Sequence, residues 1–242
     1  MNGKRVIEIT AQDVYSVRAA IQGGADRVEL CTALGVAGLT PSIGVIEGAV
    51  EAAAESGRQG FVDVLIRPRE GDFVYDRDEV QTAVRDIRRS VAAGVDGVVI
   101  GALRPDGTID KEAMTRMMDA AGSTPVVFHR AFDVVTDQFA SLEELIELGI
   151  VRVLTSGAAP VTGDGISRIQ ELVERARGRI EIMAGGGVRI DDIPNLFAVG
   201  VDAVHLSARR TVIGGPNRPG ERAGFLQVDV DLVRAAVTTA HS

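Results

Sequence analysis

Gly24-Ala25-Asp26-Arg27-Val28, Gly94-Val95-Asp96-Gly97-Val98, Gly149-Ile150-Val151-Arg152-Val153 and Gly200-Val201-Asp202-Ala203-Val204 repeat one pattern, with Val151 in place of Asp in the third copy. Glycine supplies the left-handed residue that stops a helix. The residues after it include the β-branched kind that suit a buried strand. Each interval between copies holds about two strand–helix units of roughly 30 residues. Four double units predict an α/β fold, a single (β/α)8 TIM-like barrel, with these glycines at the base of the even strands. The chain has 242 residues, the usual size of one such barrel, so residues 1–242 read as one domain. A doubly wound open sheet is the alternative. It lacks support, because no G-x-G-x-x-G follows the first strand.

Bulk composition excludes several functions. Net charge is −8, Trp is absent, and there are two Tyr and seven Phe. A nucleic-acid binder would show a basic stripe with stacking aromatics. No apolar run approaches the roughly 20 residues of a membrane span. Met1-Asn2-Gly3-Lys4-Arg5 leads straight into a strand without a secretory apolar region. Cys31 is the one cysteine, which rules out an internal disulfide and fits a reducing cytosol. The lysines are Lys4 and Lys111. Neither ends a strand, so a Schiff-base lysine is absent.

The pattern predicts strands at 5–10, 27–31, 61–66, 97–100, 126–129, 152–155, 180–184 and 203–207. Asp13, Asp110, Asp137 and Asp229 read as helix starts. Met114, Met117 and Met118 read as core filler rather than a metal box. Three connections are longer than needed: 32–42, 67–76 and 208–228. All lie at the end of the barrel where such folds place their sites. Gly214, Gly215, Pro216, Pro219 and Gly220 make the last of them a candidate lid.

Side chains alternate along a strand. Ile7, Ile9, Val28, Leu30, Val62, Val64, Val204 and Leu206 should therefore face the helices. Glu8, Arg27, Glu29, Cys31, Asp63, Arg67, His205 and Ser207 then face the axis, joined by His129. Arg130 and Asp133 lie past the end of strand five, where alternation no longer fixes direction. Buried charges are costly unless paired, so this layer either satisfies itself or forms a polar pocket. In a pocket, Arg67 would bind an anion while Glu8, Glu29, His129, Asp133 or His205 moved protons. Gly185, Gly186 and Gly187 after strand seven, with Ser207 after strand eight, read either as a phosphate-binding loop or as a tight turn. A helix from about Asp191 would add its dipole. Cys31 is the candidate metal ligand, through a thiolate that suits Cu(I), with Met183 as a thioether partner. The other reading of Cys31 is a small core residue.

Gly24 to Cys31, Gly38-Leu39-Thr40-Pro41-Ser42, Ile66-Arg67-Pro68-Arg69, Gly71-Asp72-Phe73, Phe128 to Asp133, Leu154 to Gly157 and Met183 to Val188 carry a resemblance. Together they resemble the CutC copper-homeostasis family over about residues 5–209. The resemblance implies a TIM-like barrel, a cytoplasmic homodimer and a role in copper handling through Cu(I) binding. It also implies a cysteine at the end of strand one, where this chain has Thr10. Three functions stand side by side. One is copper binding through Cys31. Another is an enzyme acting on a small anionic or phosphorylated substrate. The third is a non-catalytic dimeric scaffold. None involves nucleic acid, a membrane or a nucleotide cofactor.

Overall fold

In the computed structural model the four glycines of the repeat, Gly24, Gly94, Gly149 and Gly200, take φ of 86°, 90°, 82° and 91°. Only glycine adopts this region freely. The aspartates of the repeat have a separate task. Asp26 accepts the Ile7 amide at 2.9 Å, and Asp202 accepts the Ile182 amide at 2.8 Å. Asp96 accepts the amides of Gly60, Phe61 and Val62. Each carboxylate thus ties the start of one strand to the start of the strand before it. Val151, in the third copy, can do none of this and is exposed.

The structure describes residues 5–215 and 224–242. Eight parallel strands close into a barrel in chain order. They are β1 (Val6–Ala11), β2 (Arg27–Leu30), β3 (Val62–Leu65), β4 (Gly97–Ile100), β5 (Val126–Phe128), β6 (Arg152–Thr155), β7 (Glu181–Gly185) and β8 (Ala203–Leu206). Seven strands are followed in turn by α1 (Val14–Gly23), α2 (Ile43–Glu55), α3 (Arg77–Ala92), α4 (Lys111–Ala121), α5 (Gln138–Leu148), α6 (Ile166–Ala176) and α7 (Ile193–Ala198). After β8 comes an antiparallel hairpin of β9 (Arg209–Val212) and β10 (Phe225–Val228), then α8 (Val230–His241). Asp13, Asp110, Asp137 and Asp229 accept amides of the first turns of α1, α4, α5 and α8. These side chains satisfy donors that a helix start leaves open. No helix among the described residues is long and apolar enough to cross a membrane.

The main core lies between strands and helices and includes Ile7, Ile9, Phe61, Ile100, Phe128 and Met114. A smaller apolar set inside the barrel includes Cys31, Leu65, Val99, Leu154 and Met183. Burial therefore follows the two faces that alternation predicts.

Two expectations need correction. Residues 208–228 are not simply a loop, because Phe225 pairs with Val212 and Val228 with Arg209. Both segments are rich in strand-forming side chains, a signal masked by the glycines and prolines between them. Pro216, Pro219 and Gly220 of the candidate lid lie outside the described residues. Nor does a regular helix begin at Asp191. A 3-10 turn, Ile190–Asp192, comes first, and the Asp192 carboxylate accepts the Arg189 amide at 2.9 Å. α7 that follows has six residues. Its N-cap, Asp192, makes no side-chain hydrogen bond to the amides of α7.

Candidate functional site

The floor of the barrel is an ionic layer. Arg27 Nε donates to Glu8 Oε2 at 2.5 Å, and Arg27 Nη1 lies 3.4 Å from Glu181. Arg152 donates to Asp63 at 2.9 Å and to Glu181 through Nε. One step higher, His205 bridges Glu8 Oε1 at 2.7 Å and Thr10 Oγ1 at 2.9 Å. Burial raises the Glu8 carboxyl, but Arg27 and His205 more than offset this and hold it well below the usual carboxylate range. Burial lowers His205, yet Glu29 and Glu8 outweigh it, so the imidazole is held above its ordinary value. The ring lies between a carboxylate and a hydroxyl.

Glycines on neighbouring strands make room for these side chains. A Cβ at Gly97 would lie 2.3 Å from Asp63 Oδ1. One at Gly101 would lie 2.5 Å from the His129 ring, and one at Gly185 would lie 2.5 Å from Leu154 Cδ1, beside His205. Real Cβ atoms do not approach so closely, so the polar groups and their glycine seats belong together.

The mouth is different. A cavity of about 270 Å³ is lined by Thr10, Glu29, Phe73, His129, Arg130 and His205, among others. Glu29 Oε2 and His129 Nε2 are buried there without a hydrogen-bond partner among the described residues. Burial, reinforced by Glu8 and Asp63 against the pull of His205, pushes the Glu29 carboxyl up to about 7. Burial, with Arg67 beside it, pushes His129 down to about 3. Glu29 therefore exchanges a proton near neutrality while His129 stays uncharged.

Arg67 and Asp133 serve the frame. Arg67 Nη1 donates to the carbonyls of Val36 and Gly38, and Nη2 to that of Gly71. It clamps the loops after β2 and β3, and only its Nε is left unpartnered. Asp133 accepts from Arg130 Nε, Thr155 Oγ1, Ser156 and the Ala158 amide. Its oxygens are saturated, and its task is to orient Arg130, which also donates to Ser156 Oγ at 2.9 Å.

A second cavity of about 490 Å³ adjoins the first, with Thr10, Leu34, Ala37, Arg130 and His205 lining both. Its other walls include Gly186, Gly187, Arg189, Ser207 and Arg209. Gly186 and Gly187 take φ of 118° and 71°, so the turn itself requires them. Arg130 crosses Gly186, where a Cβ would lie 2.8 Å from the guanidinium. Gly185 belongs to β7, packed against Leu154 and His205, rather than to that turn. Sequence reasoning missed Thr10, Phe73 and Arg130 as lining residues. The inward glycines Gly97 and Gly101 were the signal it left unread.

A family model for the CutC family matches residues 5–210. The chain belongs to the CutC family. A CutC family protein of Xanthomonas campestris is 45% identical over 237 residues, spanning 96% of this chain and 97% of that one. The human copper homeostasis protein cutC homolog is 42% identical over 207 residues, covering 85% of this chain and 74% of the relative. The crystal structure of CutC from Streptococcus agalactiae superposes with a TM-score of 0.78 at 38% identity, covering 84% of this chain and 98% of that chain.

The candidate Cu(I) donors of this CutC chain, Cys31 and Met183, are both buried. Cys31 is fully buried, and burial together with Glu29 raises its thiol well above the ordinary range. The thiolate is the metal-binding form, and burial disfavours it. Met183 Sδ faces Arg27 Nη2 at 3.4 Å. Thr10, where the CutC resemblance implies a second cysteine, is the hydrogen-bond partner of His205. Glu8, Glu29 and His205 do bring ligand atoms within 4.8 Å of one another. Of these, Glu8 and His205 already bind each other, which leaves Glu29 with the free oxygen.

Proposed function

We propose that this chain is an enzyme that moves protons on a small anionic compound held at the barrel mouth. One observation carries the reading. Glu29 Oε2 and His129 Nε2 are buried without partners beside one cavity. Leaving such groups unsatisfied costs about 1–3 kcal/mol each, a cost that a polar ligand removes. Glu29 is the proton carrier, and the Glu8–His205–Thr10 chain holds the charge beside it. Arg130, Arg189 and Arg209 favour an anionic end in the adjoining cavity, with the Gly186–Gly187 turn and Ser207 as a phosphate-binding loop. The test is thermal denaturation with inorganic phosphate, sulfate and a sugar phosphate. At least one should raise the Tm, and Arg130→Met should remove the rise. No shift with any of them would end this reading.

A copper-homeostasis role in the cytoplasm is the second reading, with copper as cargo. The name of the human relative favours it, as does the proximity of Glu8, Glu29 and His205. An imidazole–carboxylate set suits Cu(II) better than Cu(I). Titrating each ion into the wild type and Cys31→Ala separates the two. Cys31-dependent Cu(I) binding would restore the thiolate site that the geometry disfavours.

A further inference from the structure

His129 is fixed as a hydrogen-bond donor. The Ala131 amide donates to its Nδ1 at 3.1 Å, which consumes that lone pair. The ring proton therefore sits on Nε2. Gly101 seats one side of the ring, and Phe73 lies across another with centroids 4.9 Å apart. His129 is 5% exposed, and its Nε2–H has no hydrogen-bond partner among the described residues. Locked this way, His129 can give a hydrogen bond but has no lone pair to accept a proton.

A neutral donor and a free carboxyl oxygen then face one cavity. That pairing polarises a carbonyl while a proton moves on the adjacent carbon. Resting on the proton-transfer reading above, we propose that the mouth takes a small anionic carbonyl compound, with His129 Nε2–H on the carbonyl oxygen and Glu29 as the base at the adjacent carbon. Glu29 takes the α-proton. The C–H electron pair becomes a C=C bond, and the carbonyl π pair moves onto oxygen, where His129 stabilises it. Return of a proton from Glu29 to carbon restores the carbonyl. Nothing is oxidised or reduced, and no co-reactant is needed. Arg130 faces the anionic end.

Proton NMR in D2O tests this with dihydroxyacetone phosphate, dihydroxyacetone and pyruvate as probes. The protein should catalyse α-deuteration of at least one anionic probe. Glu29→Gln should slow it about 100-fold or more. His129→Phe should lose about 100-fold, whereas His129→Gln, which keeps an N–H donor, should retain at least a tenth. Nitrogen-15 shifts of the wild-type ring should show the Nε2-protonated neutral form from pH 5 to 8. A proton on Nδ1 would overturn the proposal even if every variant misfolds. A probe that raises the Tm with no exchange on any of the three would overturn it while leaving the anion pocket standing. No Tm rise with any probe would instead count against the pocket itself.

Discussion

The floor and the mouth of this barrel draw on the same kinds of side chain and treat them in opposite ways. At the floor, Glu8, Asp63 and Glu181 meet Arg27 and Arg152, and each carboxylate has a cationic partner. At the mouth, Glu29 and His129 are as deeply buried, yet each keeps a polar atom unpaired. Charge inside a barrel is therefore no marker of a site by itself. What separates the two ends is whether the pairing is complete. A closed network stabilises itself, while an open one is held ready by the frame around it.

The largest expected effect comes from breaking the closed end. Arg152→Met leaves Asp63 and Glu181 without their main partner in a buried setting. Removing one partner of a buried pair costs about 3–5 kcal/mol. Urea denaturation at pH 7 should show a loss of that size. A loss below about 1 kcal/mol would erase the distinction between floor and mouth.

Glu29→Gln probes the open end, and its sign depends on pH. The folded-state carboxyl of Glu29 is raised from 4.5 to about 7. Below the unfolded value the carboxyl is protonated in both states, and its contribution to stability is fully present. That contribution is lost as pH rises through about 7. The wild type alone would mix several groups. Asp63, raised to about 6, and His205, also raised, act in the same direction, while His129, lowered to about 3, opposes them below 6.5. Comparing the variant with the wild type isolates Glu29. The two should be similar near pH 4.5, and the variant should be more stable by roughly 2–3 kcal/mol at pH 8. Thermal melts across this range read the difference, and a constant offset would mean that Glu29 is not the unpaired acid.

Much of this contrast could be read in advance. The glycine–aspartate repeat set out the strand order, and alternation placed Glu8, Glu29, His129 and His205 on the axis. Alternation says which way a side chain points but not whom it meets. Arg67 pointed inward as expected, yet its guanidinium is spent on backbone carbonyls of two loops. Asp133 and Arg130 sit on a 3-10 turn, Arg130–Val134, where neither strand nor helix periodicity applies. The hairpin of β9 and β10 was hidden because its turn residues suggested only a loop. Partners across 20 or more residues depend on the closed barrel and cannot be found from spacing.

Gly101→Ala sharpens the comparison from the side of the frame. The added Cβ would meet His129 Cε1 at 2.5 Å and Nδ1 at 2.6 Å. The ring must move or the strand must shift, at a cost of about 1–3 kcal/mol. The proton-transfer activity should fall further than stability does, because the displaced ring loses the Ala131 amide. Equal wild-type activity in a variant that still folds would show that the seat is only packing.

The smallest effect belongs to Cys31, whose side chain touches neither network through a hydrogen bond. Its sulfur lies in the apolar set inside the barrel, near Gly38 and Leu65. Cys31→Ala removes one buried atom, and stability should drop by about 1 kcal/mol. Cu(I) affinity, measured by competition with a chromophoric chelator, should change less than twofold. A thiol kept protonated by burial and by a neighbouring carboxylate has to lose its proton before it can hold the ion, and Met183 has to leave Arg27 before it can help. A drop of tenfold or more would mean that the mouth opens enough to expose and ionise Cys31, and the sharp division between the two ends of the barrel would then be a property of one conformation only.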